Sequence, residues 1–206
     1  MLEAYELYLR QVRVNEDETG RPAGYPFTIP LFQHFQPLTF HKPLTFITGD
    51  NGTGKSTLIE AIAVGMGFNP EGGTRNFQFS TRETHSSLYQ ALTLAKGVRR
   101  CRDGFFFRAE SFYNVASEIE NIAAYDSRML TGYGGVSLHK MSHGESYLTL
   151  LRSRLSGHGF YIFDEPESAL SPTGQFAMLA IMNDLIQEDS QLVIATHSPI
   201  LLACPQ

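Results

Sequence analysis

The sequence has few cysteines and no long apolar segment. Its two cysteines, Cys101 and Cys204, lie far apart and form neither a metal-binding spacing nor a disulfide framework. No apolar run approaches the roughly 20 residues that a membrane-spanning helix needs. The first residues also lack the basic and apolar regions of a secretory signal. These absences argue against a disulfide-stabilised secreted scaffold and predict a cytoplasmic protein without membrane spans.

Positive charge is also scarce. The chain has 16 Lys and Arg residues against 21 Asp and Glu residues, which gives a net charge of −5 and an isoelectric point near 5.8. This balance gives no electrostatic reason to expect a protein that coats nucleic acid or lies on a membrane surface. The one dense basic cluster, Arg99, Arg100 and Arg102, is predicted to lie in a solvated turn between two strands.

A glycine-rich turn after an apolar run is the most informative segment. In residues 44–57, LTFITGDNGTGKST, Gly49 is followed after four residues by Gly54-Lys55-Ser56, which matches the phosphate-loop pattern. Glycines let the backbone wrap closely around phosphates, and the N–H groups that begin the following helix attract anions. Lys55 adds a positive charge for the terminal phosphates, and the Ser56 hydroxyl is placed to bind Mg²⁺. The predicted nucleotide-binding residues are Gly49, Asp50, Asn51, Gly52, Thr53, Gly54, Lys55, Ser56 and Thr57.

The hydrophobic pattern predicts the fold. Residues 44–48, 159–163 and 191–195 are continuous apolar runs, which are typical of buried parallel strands. Helical spacing predicts helices over 55–64, 114–124, 142–155 and 175–186, whereas prolines at 30 and 37 favour extended chain over 27–40. We therefore predict one α/β domain, residues 1–206, with a mostly parallel central sheet flanked by helices. An antiparallel β region is expected at about 1–43, and a helical region at about 111–157.

Polar residues follow each of these strands at the edge where open α/β sheets bind ligands. Asp164 ends the second strand, where an aspartate commonly provides the second anchor for Mg²⁺ in phosphate-loop enzymes. Glu165 follows it and is a candidate to orient or deprotonate an attacking water. Ser142 and Glu145 have the spacing of a capping box, so this helix presents a second N-terminus to an anion.

The order of these motifs resembles that of the ATP-binding-cassette ATPases. The phosphate loop is followed by Ser-His-Gly-Glu-Ser, Phe-Asp-Glu-Pro, Ser-Ala-Leu-Ser and a strand that leads to His197. Within the family the sequence is most similar to the soluble RecF/SMC-like branch, and in particular to compact bacterial ATPases of the AAA type. The resemblance extends from about residue 40 to 202.

The resemblance implies a role for each motif. Residues 49–57 match the Walker A loop, Asp164 matches the Walker B aspartate that holds Mg²⁺, and Glu165 matches the catalytic glutamate. His197 matches the switch histidine that contacts the γ-phosphate of ATP. Gln78 is the best match to the Q-loop glutamine near Mg²⁺ and the attacking water. The signature motif, which binds a nucleotide held by a second subunit, matches Ser142, Gly144 and Glu145.

Some features differ from the family pattern. His143 stands where the signature motif usually has Gly, and Ser171 stands where the D-loop usually closes with Asp. Residues 78–142 are too few for the long coiled-coil arms of SMC proteins. The chain also ends soon after His197, where the family usually continues, so a truncated C-terminus is expected.

The implied function is Mg-dependent ATP hydrolysis by two copies that pair head to tail around two ATP molecules, with an output in DNA metabolism or defence. Two alternatives stay open. One is a nucleotide-binding subunit of a membrane transporter. The other is an ATP-gated module that regulates a nuclease or toxin partner, or that acts on DNA.

Overall fold

The predicted parallel sheet is present in the computed structural model, which describes residues 1–15, 24–75, 86–125 and 141–204. Its strands are β3 (Leu44–Ile47), β5 (Asp103–Arg108), β6 (Gly159–Asp164) and β7 (Gln191–Ala195), in the order β3-β7-β6-β5. Every neighbouring pair in this sheet is parallel. Ile47 and Asp164 are both in register with Ala195, and Arg108 is in register with Asp164. The carboxyl ends of all four strands therefore meet at one edge.

A smaller antiparallel sheet is formed by β1 (Leu9–Val14), β2 (Leu38–Thr39) and β4 (Leu92–Lys96), in the order β2-β1-β4. Its third strand thus comes from beyond the predicted region 1–43. The side chain of Gln191 joins the two sheets, because it accepts a hydrogen bond from the Leu9 N–H and donates one to the Leu9 carbonyl, both at 2.9 Å.

Six α-helices lie in the described ranges: α1 (Pro30–Gln33), α2 (Lys55–Gly65), α3 (Phe112–Tyr125), α4 (His143–Arg154), α5 (Pro172–Gln187) and α6 (Pro199–Leu202). The four predicted helices correspond to α2 through α5. The expectation of extended chain over 27–40 is wrong for α1, because Pro30 occupies the first helical position, where its missing N–H costs nothing. None of the helices in these ranges is both long and apolar enough to cross a membrane.

The two faces of the parallel sheet are buried in two cores. Phe105 and Phe107 point to one face, where they join Tyr161 and side chains of α3, α4 and α5. Phe106 points to the other face, where α2 and β1 cover it. Because side chains alternate along a strand and both faces are covered, these strands are apolar at nearly every position. Phe105, Phe106 and Phe107 are therefore core residues.

The arginine cluster lies in the predicted turn, between β4 and β5. Arg99 is half-buried there, and its guanidinium pairs with Glu6 at 3.0 Å and with Asp189 at 3.2 Å. Arg99 thus serves an ion-pair network at the amino-terminal edge of the strands.

Candidate nucleotide-binding site

The phosphate-loop residues form an open cradle between β3 and α2. Gly49, Gly52 and Gly54 have φ angles of 150°, 78° and 106°, which glycine adopts without strain. A Cβ atom at Gly54 would also lie only 2.7 Å from Cγ2 of Ile29. Gly54 precedes α2 and provides no side-chain cap, so the first N–H groups of the helix are directed at the cradle.

Lys55 is folded back over this loop. Its side chain is buried, and its Nζ donates hydrogen bonds to the carbonyl of Gly49 at 2.8 Å and to that of Asp50 at 2.9 Å. These contacts keep the ammonium beside a cavity of about 240 Å³. The cavity is lined by Ile29, Asn51, Gly52, Gly54, Lys55, Ser56, Thr57 and Glu165.

Asp164 reaches the start of α2 from the end of β6. Its Oδ1 accepts a hydrogen bond of 3.0 Å from the Ser56 hydroxyl, and its Oδ2 lies 3.6 Å from Nε of Arg108. Only 4% of Asp164 is exposed. Burial raises the pKa of this carboxyl from 3.8 to about 6, although Arg108 and the Ser56 hydrogen bond act in the opposite direction. Arg108 and Ser56 therefore do not fully offset the cost of burying the charged Asp164 carboxylate.

Glu165 and His197 meet beside the cavity, as expected from their positions after neighbouring strands. Oε1 of Glu165 lies 2.8 Å from Nε2 of His197. Glu165 has a left-handed backbone with φ of 49°, a conformation that costs a non-glycine residue about 1–3 kcal/mol. The N–H of His197 donates a 2.6 Å hydrogen bond to Oε1 of Glu167. Two carboxylates thus hold His197, one at its ring and one at its backbone.

The signature residues lie at the start of α4, where the predicted capping box is present. The Glu145 N–H donates to the Ser142 hydroxyl at 3.4 Å, and the Ser142 N–H donates to Glu145 Oε2 at 3.1 Å. The His143 ring packs edge-on against Phe112 at 5.4 Å. In the described part of the chain, no hydrogen bond or ion pair links Ser142, Gly144 or Glu145 to the phosphate loop. Within the described residues, one copy of the chain therefore brings together Lys55, Ser56, Asp164, Glu165 and His197, but not the residues predicted to form the signature motif.

Two other predicted residues have different outcomes. Ser171 caps α5, because its hydroxyl accepts a hydrogen bond of 3.2 Å from the Gly174 N–H. Gln78 lies outside the described residues, and its position near Mg²⁺ stays a prediction.

Sequence reasoning missed Arg108 and Ile29 as parts of this site. Arg108 is a charged residue at the end of an apolar strand, and the rule that identified Asp164 and His197 applies equally to it. Ile29 precedes α1 and closes the cradle, and the Leu31 N–H donates a 3.3 Å hydrogen bond to the Thr53 carbonyl. No local pattern predicts that contact, because it depends on how α1 packs onto the loop.

Comparisons with known proteins agree with this geometry. A family model for an AAA domain matches residues 29–125. A second model, for an AAA domain described with the AbiEii toxin and type IV toxin–antitoxin systems, matches residues 106–203.

Curated relatives are cassette ATPases. The cytochrome c biogenesis ATP-binding export protein CcmA of Aliivibrio fischeri is 28% identical over 165 residues, which cover 76% of this chain and 79% of that protein. The energy-coupling factor transporter ATP-binding protein EcfA1 of Fusobacterium nucleatum is 27% identical, with coverage of 74% and 62%. The solved SMC head domain from Thermotoga maritima is 15% identical, with a TM-score of 0.46 and coverage of 97% of this chain and 93% of that one.

The two AAA-domain matches overlap and together extend from residue 29 to residue 203. They include the phosphate loop, helix α4, Asp164 and His197. Over these ranges the chain is similar to AAA domains, and its curated relatives are ATP-binding proteins of export and transport systems.

Proposed function

We propose that this chain binds Mg–ATP in the phosphate-loop cavity and hydrolyses it with Glu165 and His197, in a cytoplasmic dimer that encloses two nucleotides. The observation that carries this proposal is the convergence of four groups at one edge of the sheet. The phosphate cradle, the Ser56–Asp164 hydrogen bond, Glu165 and His197 all lie there.

The donor atoms fit Mg²⁺. This ion prefers oxygen ligands and is usually held by one or two protein groups together with nucleotide phosphates. The Ser56 hydroxyl and the Asp164 carboxylate supply such a pair beside the cradle. Among the described residues, no group of three or more His, Cys, Asp or Glu side chains is arranged to hold a metal by itself. When bound, Mg²⁺ supplies neutralisation of phosphate charge.

The protein groups then have distinct tasks. Lys55 and the N–H groups that begin α2 bind the phosphates, and Ser56 and Asp164 hold the metal ion. Glu165 orients the attacking water and accepts its proton, while the hydrogen bond from His197 fixes the direction of the Glu165 carboxylate. Gln78 is assigned to the same water and to Mg²⁺.

The exposure of the predicted signature residues supports the dimer. Ser142 and Glu145 are exposed at a helix N-terminus that attracts anions, and in the described part of the chain they form no hydrogen bond or ion pair with its own phosphate loop. In the proposed dimer, the helix α4 of one copy, with Ser142, Gly144 and Glu145, encloses the nucleotide of the other copy. Binding and hydrolysis of ATP then control association.

The dimer is tested by size-exclusion chromatography of Glu165→Gln with Mg–ATP, because this variant should retain ATP without hydrolysing it. We expect a dimer with Mg–ATP and a monomer with Mg–ADP. Lys55→Ala is the matched control and should stay monomeric in both, since it lacks the charge that binds the phosphates. A Glu165→Gln variant that remains monomeric at high protein and ATP concentrations would contradict the dimer.

The relatives favour a second candidate, a nucleotide-binding subunit of a transporter, because CcmA and EcfA1 are named as export and transporter ATP-binding proteins. The second family model favours a third, an ATP-gated module for a toxin or nuclease partner. An affinity purification beside ATPase assays with and without DNA separates them. A co-purifying multispanning protein supports the transporter, and a soluble toxin or nuclease supports the regulatory module. Stimulation by DNA supports a role in DNA metabolism.

A further inference from the structure

Four polar side chains are linked in a row behind the phosphate loop, and one turn of α2 closes this row into a ring. Ser56 and Glu60 lie one turn apart on α2, and Arg108 and Asp164 lie side by side in register on β5 and β6. Ser56 donates to Asp164 at 3.0 Å, Arg108 lies 3.6 Å from the other oxygen of Asp164, and Nη1 of Arg108 is 2.6 Å from Oε2 of Glu60. The ring therefore connects α2 to both strands.

Glu60, Arg108 and Asp164 are each held on more than one side. Glu60 is 7% exposed, and its second oxygen, Oε1, accepts a 2.9 Å hydrogen bond from the Ser86 N–H. Only 22% of the Arg108 side chain is exposed, and the planar guanidinium reaches two carboxylates with different nitrogen atoms. Rotation of the Asp164 carboxylate would thus weaken its contact with Ser56 or with Arg108.

The charges of the ring do not balance. Asp164 and Glu60 are two buried carboxylates that share the single guanidinium of Arg108. Glu110, which lies 3.9 Å from Nε of Arg108, is a third carboxylate, but it is exposed. A cation bound at Ser56 and Asp164 would reduce this excess of negative charge, so the charges of the ring favour cation binding.

We propose that Arg108 and Glu60 are positioning residues that orient the Asp164 carboxylate for the metal ion of Mg–ATP. This inference rests on the proposed function, because it assumes that Asp164 holds that ion. Groups that orient a metal ligand typically contribute 10- to 100-fold to metal affinity. Arg108 acts on Asp164 directly, and Glu60 acts by fixing the guanidinium.

The test measures how much Mg²⁺ improves the binding of a fluorescent ATP analogue, by titrations with excess EDTA and with increasing Mg²⁺. For Arg108→Gln and Glu60→Gln, binding in EDTA should stay within about twofold of the wild type, because the phosphate cradle is intact. The Mg²⁺ concentration that gives the half-maximal gain in affinity should rise at least about tenfold for Arg108→Gln. A smaller rise is expected for Glu60→Gln.

Arg154→Gln is the matched control. Arg154 is also 22% exposed and pairs with an aspartate of β5, Asp103, but at the opposite end of the strand. The Arg154→Gln substitution should lower the melting temperature without changing the Mg²⁺ concentration needed for tight ATP binding. If both ring variants keep the wild-type Mg²⁺ dependence, the positioning role is wrong. If Mg²⁺ does not improve ATP binding by the wild type, the proposed metal site itself is wrong, and the positioning role is wrong with it. Should Arg108→Gln not fold, Glu60→Gln decides the question.

Discussion

Replacing Asp164 by Asn should stabilise the nucleotide-free protein while abolishing its activity. The pKa of Asp164 is raised by burial from 3.8 to about 6. The stability associated with this carboxyl is therefore fully present below about pH 4 and is lost as the pH rises through about 6. The difference corresponds to roughly 3 kcal/mol at pH 7.5. Asparagine avoids this cost and can still accept the Ser56 hydrogen bond, but it loses the attraction to Arg108, so we expect a net gain of about 1–3 kcal/mol.

The measurement is chemical and thermal unfolding at pH 7.5 and pH 4.5, without nucleotide or Mg²⁺. Because about 1 kcal/mol moves the melting temperature of a domain of this size by roughly 2–4 °C, a gain of several degrees is expected at pH 7.5. It should shrink towards zero at pH 4.5, where the folded wild type is already protonated. A variant that is less stable at pH 7.5, or equally more stable at both pH values, would refute the reasoning.

Asp103→Asn provides a control of opposite sign. Although burial opposes its ionisation, Arg154 and the Tyr161 hydroxyl hold the pKa of Asp103 below its ordinary value. Its carboxylate therefore stabilises the protein above about pH 4, and this contribution is lost as the pH falls through the lowered pKa. The asparagine variant should be less stable at pH 7.5. The same substitution thus has opposite effects at the two ends of the sheet.

Three further predictions concern single groups. Tyr147→Phe should be neutral or should stabilise the protein by about 1–3 kcal/mol in unfolding assays. The reason is that the buried Tyr147 hydroxyl has no hydrogen-bond partner among the described residues. A loss of stability would show that this hydroxyl does have a partner. Gly54→Ala should destabilise by about 1–3 kcal/mol and weaken ATP binding, since its φ is 106° and the new Cβ would meet Ile29; unchanged ATP titrations would contradict this. Ser142→Ala should lower the nucleotide-free stability by about 1 kcal/mol in unfolding assays through loss of the α4 cap, and Ser142→Thr, which retains the hydroxyl, should not.

Much of the fold could be predicted because its signals are local. The strand that ends at Asp164 is buried on both faces, so its apolar run is unbroken, and Ser142 with Glu145 gives α4 a distinct beginning. Residues 86–97 follow neither a helical nor a strand pattern throughout, because the segment contains both structures. It begins with a short 3-10 helix, Ser87–Ala91, and continues as β4.

The site could be predicted only where chain order reveals it. Phosphate-loop residues are contiguous, and Asp164, Glu165 and His197 follow their strands directly. The partnership of Arg108 with Glu60 joins positions 48 residues apart. This ion pair forms because β5 lies next to β6 in the sheet, and no local sequence pattern predicts that strand order.

The two edges of the parallel sheet differ in how fully their polar groups are satisfied. At the amino-terminal edge, Asp103 receives hydrogen bonds from Arg154, Tyr161 and Ser156, and its pKa is lowered. At the carboxyl-terminal edge, Asp164 has a raised pKa, Glu165 has a strained backbone, and Oε2 of Glu167 is buried without a hydrogen-bond partner in the described ranges. Each of these costs folding free energy in the nucleotide-free protein.

Such unfavourable features persist only where the surrounding structure compensates for them, and they commonly mark functional sites. Here the compensation comes from the rigid sheet and from the well-paired opposite edge. A bound cation and nucleotide would relieve at least the charge excess at Asp164, so part of the binding free energy should appear as added stability. Because Asp164→Asn removes that excess in advance, Mg–ATP should raise the melting temperature of this variant less than that of the wild type. An equal increase would show that the charge of Asp164 is not coupled to the ligand.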